Sequence, residues 1–212
     1  AINTIAYLEG TDPNLKEEYV VIGAHHDHLG SKVDLEGDDK IYNGADDNAS
    51  GVTGVLALAE YFATQIERKR SLIFCTFTAE ELGLIGSKEL AKSFPIPLDS
   101  IRAFINLEMI GTVSQWGSNR AYMTGSNLSN LKNLMNQSVH DSTLFLFKDD
   151  PYVNQNLFER SDNAAFAEYG VVAHTISTVN MSQVKTYHKP DDEYRSLNTK
   201  VLKEVVQGVA LG

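Results

Sequence analysis

The run Tyr19-Val20-Val21-Ile22-Gly23-Ala24 constrains the fold more than any other stretch, because it has no polar face. A strand that alternates apolar and polar residues can lie against water on one side, but one that is apolar on both faces must be covered on both. Arg70 to Phe77 is a second buried strand, and Arg102 to Leu107 and Val171 to Ile176 are further ones. Helical periods stand between and after them. Val52, Val55, Leu56, Ala59, Phe62, Ala63 and Ile66 recur at intervals of three and four, a helix near Phe94 is stopped by Pro95 and Pro97, and others cover Leu128 to Val139 and Val201 to Val209. Shorter strands fall at Ile2 to Leu8, Ala121 to Thr124 and Thr143 to Phe147. This alternation predicts an α/β three-layer sandwich with a largely parallel sheet, built as a single domain over residues 1–212.

Two connections carry expectations of their own. Gly10-Thr11-Asp12-Pro13-Asn14 favours a turn, so the first two strands read as a hairpin, and the polar, acidic stretch from Gly30 to Tyr42 reads as a surface loop. The long polar connection from Asp149 to Asp162, together with Gly111 to Asn119, is placed to shape a substrate pocket.

Charge narrows the partners. With 18 Lys and Arg against 28 Asp and Glu, the formal net charge of −10 disfavours nucleic acid and anionic membrane surfaces. No apolar run approaches the ~20 residues of a membrane span. Ala1 opens without a signal-peptide pattern, so a targeting segment is expected outside this chain. Cys75, the one cysteine, sits in an apolar run and reads as a core thiol.

In parallel sheets ligands gather outside the carboxyl ends of strands. Here those ends deliver His25-His26-Asp27-His28, then Glu80-Glu81, then Glu108, while Asp46 and Asp47 precede a helix that Asp47, Asn48 or Ser50 could cap. His188 adds a further imidazole. Histidines and carboxylates without cysteine suit zinc or another divalent ion in a hydrolytic site. Two uncompensated charges at Glu80 and Glu81, directly after a buried strand, would be costly without such an ion. His26 and His28 read as pocket or hydrogen-bonding residues, His174 as a core histidine and His140 as a helix-surface residue.

Six motifs then occur in one order: Gly23-Ala24-His25-His26-Asp27-His28-Leu29-Gly30, Gly44-Ala45-Asp46-Asp47-Asn48-Ala49-Ser50-Gly51, Glu80-Glu81-Leu82-Gly83-Leu84-Ile85-Gly86-Ser87, Asn106-Leu107-Glu108-Met109-Ile110-Gly111, Ser161-Asp162 and Tyr187-His188. From Val20 to His188 the chain resembles the zinc-dependent exopeptidases that include bacterial leucyl aminopeptidases, glutamate carboxypeptidase and glutaminyl cyclases.

The resemblance implies two zinc ions bridged by Asp46, one completed by His25 and Glu108, the other by Glu81 and His188. Glu80 would be the general base, Asp27 would accept the free ring N–H of His25, and Tyr187 would donate to the developing oxyanion. A cis peptide is expected between Asp46 and Asp47. The implied activity is removal of N-terminal residues from peptides with a free amino end, in a periplasmic or secreted protein whose chain extends further at the amino end.

Glu108 stands where the family usually has Asp, and Asn163 where it often has His. The first departure falls on the metal that single-zinc glutaminyl cyclases lack, so pyroglutamate formation is the alternative activity. A non-catalytic receptor-like domain is a third reading.

Overall fold

The computed structural model describes residues 2–34 and 38–212. In chain order the strands and helices are β1 (Thr4–Leu8), β2 (Tyr19–His25), β3 (Gly30–Ser31), β4 (Ile41–Tyr42), α1 (Gly51–Thr64), β5 (Ser71–Phe77), α2 (Ile85–Lys92), β6 (Ile101–Leu107), β7 (Arg120–Met123), α3 (Leu131–Val139), β8 (Leu146–Asp149), α4 (Asn163–Ala167), β9 (Ala173–Ser177) and α5 (Thr199–Leu211). Seven strands form one sheet in the order β1-β5-β2-β6-β9-β7-β8. Its centre, β5-β2-β6-β9, is parallel throughout.

The two-faced apolar strands do what their composition requires. Ile22 and Ala24 of β2 and Leu72 and Phe74 of β5 face α1, α3 and α5, packing with Val55, Leu58, Met135, Val201 and Val205. The alternate residues Val21, Ile73, Cys75 and Phe77 face the other way, toward Ala91 of α2 and Ala165 and Phe166 of α4. Period-two alternation thus feeds two separate cores, giving the three layers. Cys75 lies fully buried in the second.

Two expectations are corrected. The first strands do not form a hairpin: β1 pairs antiparallel with β5, which lies between it and β2. The loop from Gly30 to Tyr42 closes through the small antiparallel pair β3–β4, and its residues 35–37 lie outside the described residues.

Candidate metal centre

The chain leaves β2 for β5 on one side, and β5 returns through α2 to β6 on β2's other side. That reversal opens a crevice at the carboxyl end of β2. His25 is the last residue of β2, Glu80 and Glu81 follow β5, and Glu108 follows β6. Several turns here need left-handed backbone: Ala79 (φ 56°) before Glu80, Met109 (φ 49°) after Glu108, and His188 itself (φ 55°). Such non-glycine residues hold only where surrounding contacts over-determine them.

Asp47, not Asp46, stands at the centre. Its Oδ1 lies 3.3 Å from His25 Nε2, and its Oδ2 lies 3.2 Å from His188 Nε2. His25 Nε2 is 3.3 Å from Glu108 Oε2, and His188 Nε2 is 3.3 Å from Glu81 Oε2. Donors held tetrahedrally at about 2.0–2.1 Å from zinc lie about 3.3–3.4 Å from one another. All four separations match that edge, so the residues fit two cations sharing the Asp47 carboxylate.

Asp46 was expected to bridge, but its carboxylate is engaged elsewhere: Oδ1 accepts the Gly111 N–H at 2.8 Å. The backbone between these neighbours turns sharply, with Asp47 at φ −107° and ψ 86°, so only one of the two acids faces the crevice. The cis peptide likewise joins Asp47 to Asn48 rather than Asp46 to Asp47. Of the expected caps, Asn48 serves α1, its Oδ1 accepting the Gly51 N–H at 3.1 Å.

Neighbouring groups hold the donors in place. Ser161 Oγ donates to Glu108 Oε2 at 2.8 Å, which sets the longer side chain toward His25. His25 Nδ1 meets the backbone carbonyl oxygen of Asp27 at 3.0 Å, while the Asp27 carboxylate, 3.7 Å from that nitrogen, accepts instead from the N–H groups of Glu80 and Glu81. Asp27 therefore holds His25 through its carbonyl, not through the carboxylate as expected. From the far side, Asn3 accepts from Thr78 N–H and donates to Gly86 O, closing the same turn.

The charges strain against burial. Burial alone would raise the Asp47 carboxyl, but contacts with the His188 and His25 imidazoles hold it well below the usual range. Burial opposes protonation of His25, yet the Glu108 charge and the contact with Asp47 raise its pKa. Glu80, half-buried and beside Glu108, is pushed up to about 9, mainly by desolvation, and desolvation raises Glu108 as well. Asp162, fully buried behind the centre, is pushed up to about 7. So many desolvated carboxyls in one crevice are the signature of a place that cations neutralise.

A cavity of about 360 Å³ opens onto the centre. Glu80 and Tyr187 line it beside the donors, and Leu157 and Arg160 from the long connection join Val179 and Met181 in its wall. None of Gly111 to Asn119 lines it, contrary to expectation. The Tyr187 ring stacks on His188 at 3.9 Å, and its hydroxyl accepts from Arg160 Nη2 at 3.1 Å. Of the other histidines, His174 is buried against Thr124 O and Ser129 Oγ, while His26 and His140 are exposed.

The structure thus gathers His25, Glu80, Glu81, Glu108, Tyr187 and His188, and leaves out Asp46. Sequence reasoning gave Asp47 only a capping role rather than the place between the two imidazoles, named Ser161 without its contact to Glu108, and did not single out Asp192. Asp192 carried only a local signal: it ends the run Pro190-Asp191-Asp192, and Pro and Asp together mark a turn whose acid can accept backbone N–H groups.

Fold and site define a class: α/β proteins that gather imidazoles and carboxylates for cations at the switch point of a parallel sheet. Within it the chain belongs to peptidase family M28, whose sequence profile matches residues 3–211. A probable zinc metalloprotease of Pyrenophora tritici-repentis is 38% identical over 109 residues, covering 50% of this chain and 24% of that protein. A probable leucine aminopeptidase 2 of Aspergillus fumigatus is 29% identical over 183 residues, 83% of this chain and 33% of that protein. The solved aminopeptidase from Aneurinibacillus sp. strain AM-1 superposes with a TM-score of 0.75 at 25% identity, covering 99% of this chain and 46% of that one. The chain therefore spans less than half the length of each of these relatives.

Proposed function

We propose that this chain carries the catalytic centre of a zinc aminopeptidase that hydrolyses the first peptide bond of peptides with a free amino end. The observation that carries the reading is the Asp47 carboxylate, whose two oxygens each face a different imidazole at 3.2–3.3 Å. His25, Asp47 and Glu108 would hold one zinc ion, and Asp47, Glu81 and His188 the other. A pair of such ions polarises a carbonyl and lowers the pKa of a water between them.

The chain's own residues supply the remainder. Glu80 lies half-buried beside the donors without belonging to either group, which suits a general base that takes a proton from water and returns it to the leaving amine. The Tyr187 hydroxyl, accepting from Arg160, keeps its own proton free to donate to the carbonyl oxygen as charge develops there. The apolar wall of Leu157, Val179 and Met181 would receive the first side chain.

Metal analysis together with hydrolysis of aminoacyl anilides tests this. Two zinc ions and release of the anilide are expected. One tightly bound zinc, with pyroglutamate formed from a Gln-peptide and no peptide cleavage, would replace this reading with a glutaminyl cyclase.

A further inference from the structure

His28 belongs to no role assigned so far. Its side chain is only 7% exposed, and both ring nitrogens are buried without a hydrogen bond. Nδ1 nevertheless lies 2.7 Å from Glu81 Oε1 and 3.9 Å from Asp47 Oδ1. Glu81 Oε1 is itself buried and lacks a hydrogen bond, so the close approach does not have hydrogen-bond geometry. At 2.7 Å the two lone-pair atoms lie closer than a tetrahedral edge, and, with neither donating to the other, they are spaced more as donors about 90° apart around one five-coordinate cation are.

The surroundings fix the ring in that position. It packs edge-on against His188 at 5.7 Å and Tyr42 at 6.4 Å. Gly44, at φ 64°, passes so close that a Cβ there would sit 2.7 Å from His28 Cγ. Glu81 is then straddled, with Oε1 toward His28 and Oε2 toward His188.

Resting on the two-cation reading of this centre, we infer that His28 Nδ1 is an additional cation ligand at the position formed by Asp47, Glu81 and His188. That position then offers four side chains, against three at the His25 position. The two ions differ in affinity, and the one beside His28 binds first. A hydrogen bond from His28 that merely orients Glu81 is the competing role.

The test is a crystal of the zinc-loaded protein read by anomalous scattering, alongside calorimetric zinc titration of the metal-free chain. Expected are a peak within about 2.3 Å of His28 Nδ1, and for His28→Ala and His28→Phe a more than tenfold loss in the tighter of two binding events with the weaker unchanged. A peak between Glu81 and His188 that lies more than about 3 Å from Nδ1 overturns the inference and leaves the two-cation centre standing. The same holds for titrations unaltered by both substitutions. A wild-type chain that takes up no zinc overturns both.

Discussion

The carboxylate of Asp192 holds the backbone of Asp47: its Oδ2 accepts the Asp47 N–H at 3.0 Å, while Oδ1 accepts that of Asp46 at 2.9 Å. One fully buried side chain, 145 residues away in sequence, thereby aims the carboxylate that faces both His25 and His188. Asp192→Ala leaves two buried N–H groups without acceptors, each costing about 1–3 kcal/mol. A urea midpoint lowered to match is expected, together with a 10–100-fold loss of zinc affinity. An unchanged midpoint would show that water replaces the carboxylate.

Asp47 and Asp46 should separate cleanly on substitution. Asp47→Asn removes the charge shared by both positions and is expected to abolish stoichiometric zinc uptake, whereas Asp46→Asn retains it, because Asn still accepts from Gly111. Equal losses in metal analysis of the two variants would contradict the placement of Asp47.

Asp46 also has a pH signature in the metal-free chain. Burial pushes its carboxyl from 3.8 up to about 7, so between those values the folded chain holds a proton that the unfolded chain has lost. Stability from this group is present at low pH and falls as pH rises toward 7. Asp46→Asn does not titrate, so its unfolding free energy should gain on the wild type across that window, by up to about 4 kcal/mol at about 1.4 kcal/mol per unit. A difference that stays flat from pH 4 to 7 would count against it.

Glu80→Gln is expected to keep its zinc and lose about 10²–10⁴-fold in anilide hydrolysis. Retained turnover with full metal content would remove Glu80 from the chemistry.

Zinc itself should stabilise the fold. At a concentration a hundredfold above Kd, one site contributes about 2.7 kcal/mol, or roughly 5–10 °C in Tm for a chain of this size. A chelator should reverse the shift in a thermal scan, and a Tm indifferent to both would speak against a specific site.

The central strands were legible because Tyr19 to Ala24 and Arg70 to Phe77 leave no face for water, a property local to each run. The place of β1 was not, since each residue from Thr4 to Leu8 pairs with one more than 60 positions later, from Leu72 to Thr76, and nothing in the intervening turn announces that. Two-residue strands such as β3 and β4 are too short to set a period. In the site, residue types at strand ends pointed to His25, Glu81 and Glu108, while His188 lies on the loop beyond β9 and was singled out as a further imidazole. Asp46 and Asp47 are chemically identical neighbours, however, and only tertiary contacts to Gly111 and Asp192 decide which one turns inward. The Asp27 carboxylate was misread for a related reason: two backbone N–H groups brought near by β5 compete for it.

Asn3 ties the segment before β1 to Thr78 and Gly86, on either side of Glu80 and Glu81. The amino-terminal stretch is thus a lever whose short arm ends at the crevice. Tension from a tag joined there would reach Glu80 and Glu81, the proposed base and donor, through two hydrogen bonds, and so would disturb the crevice they line.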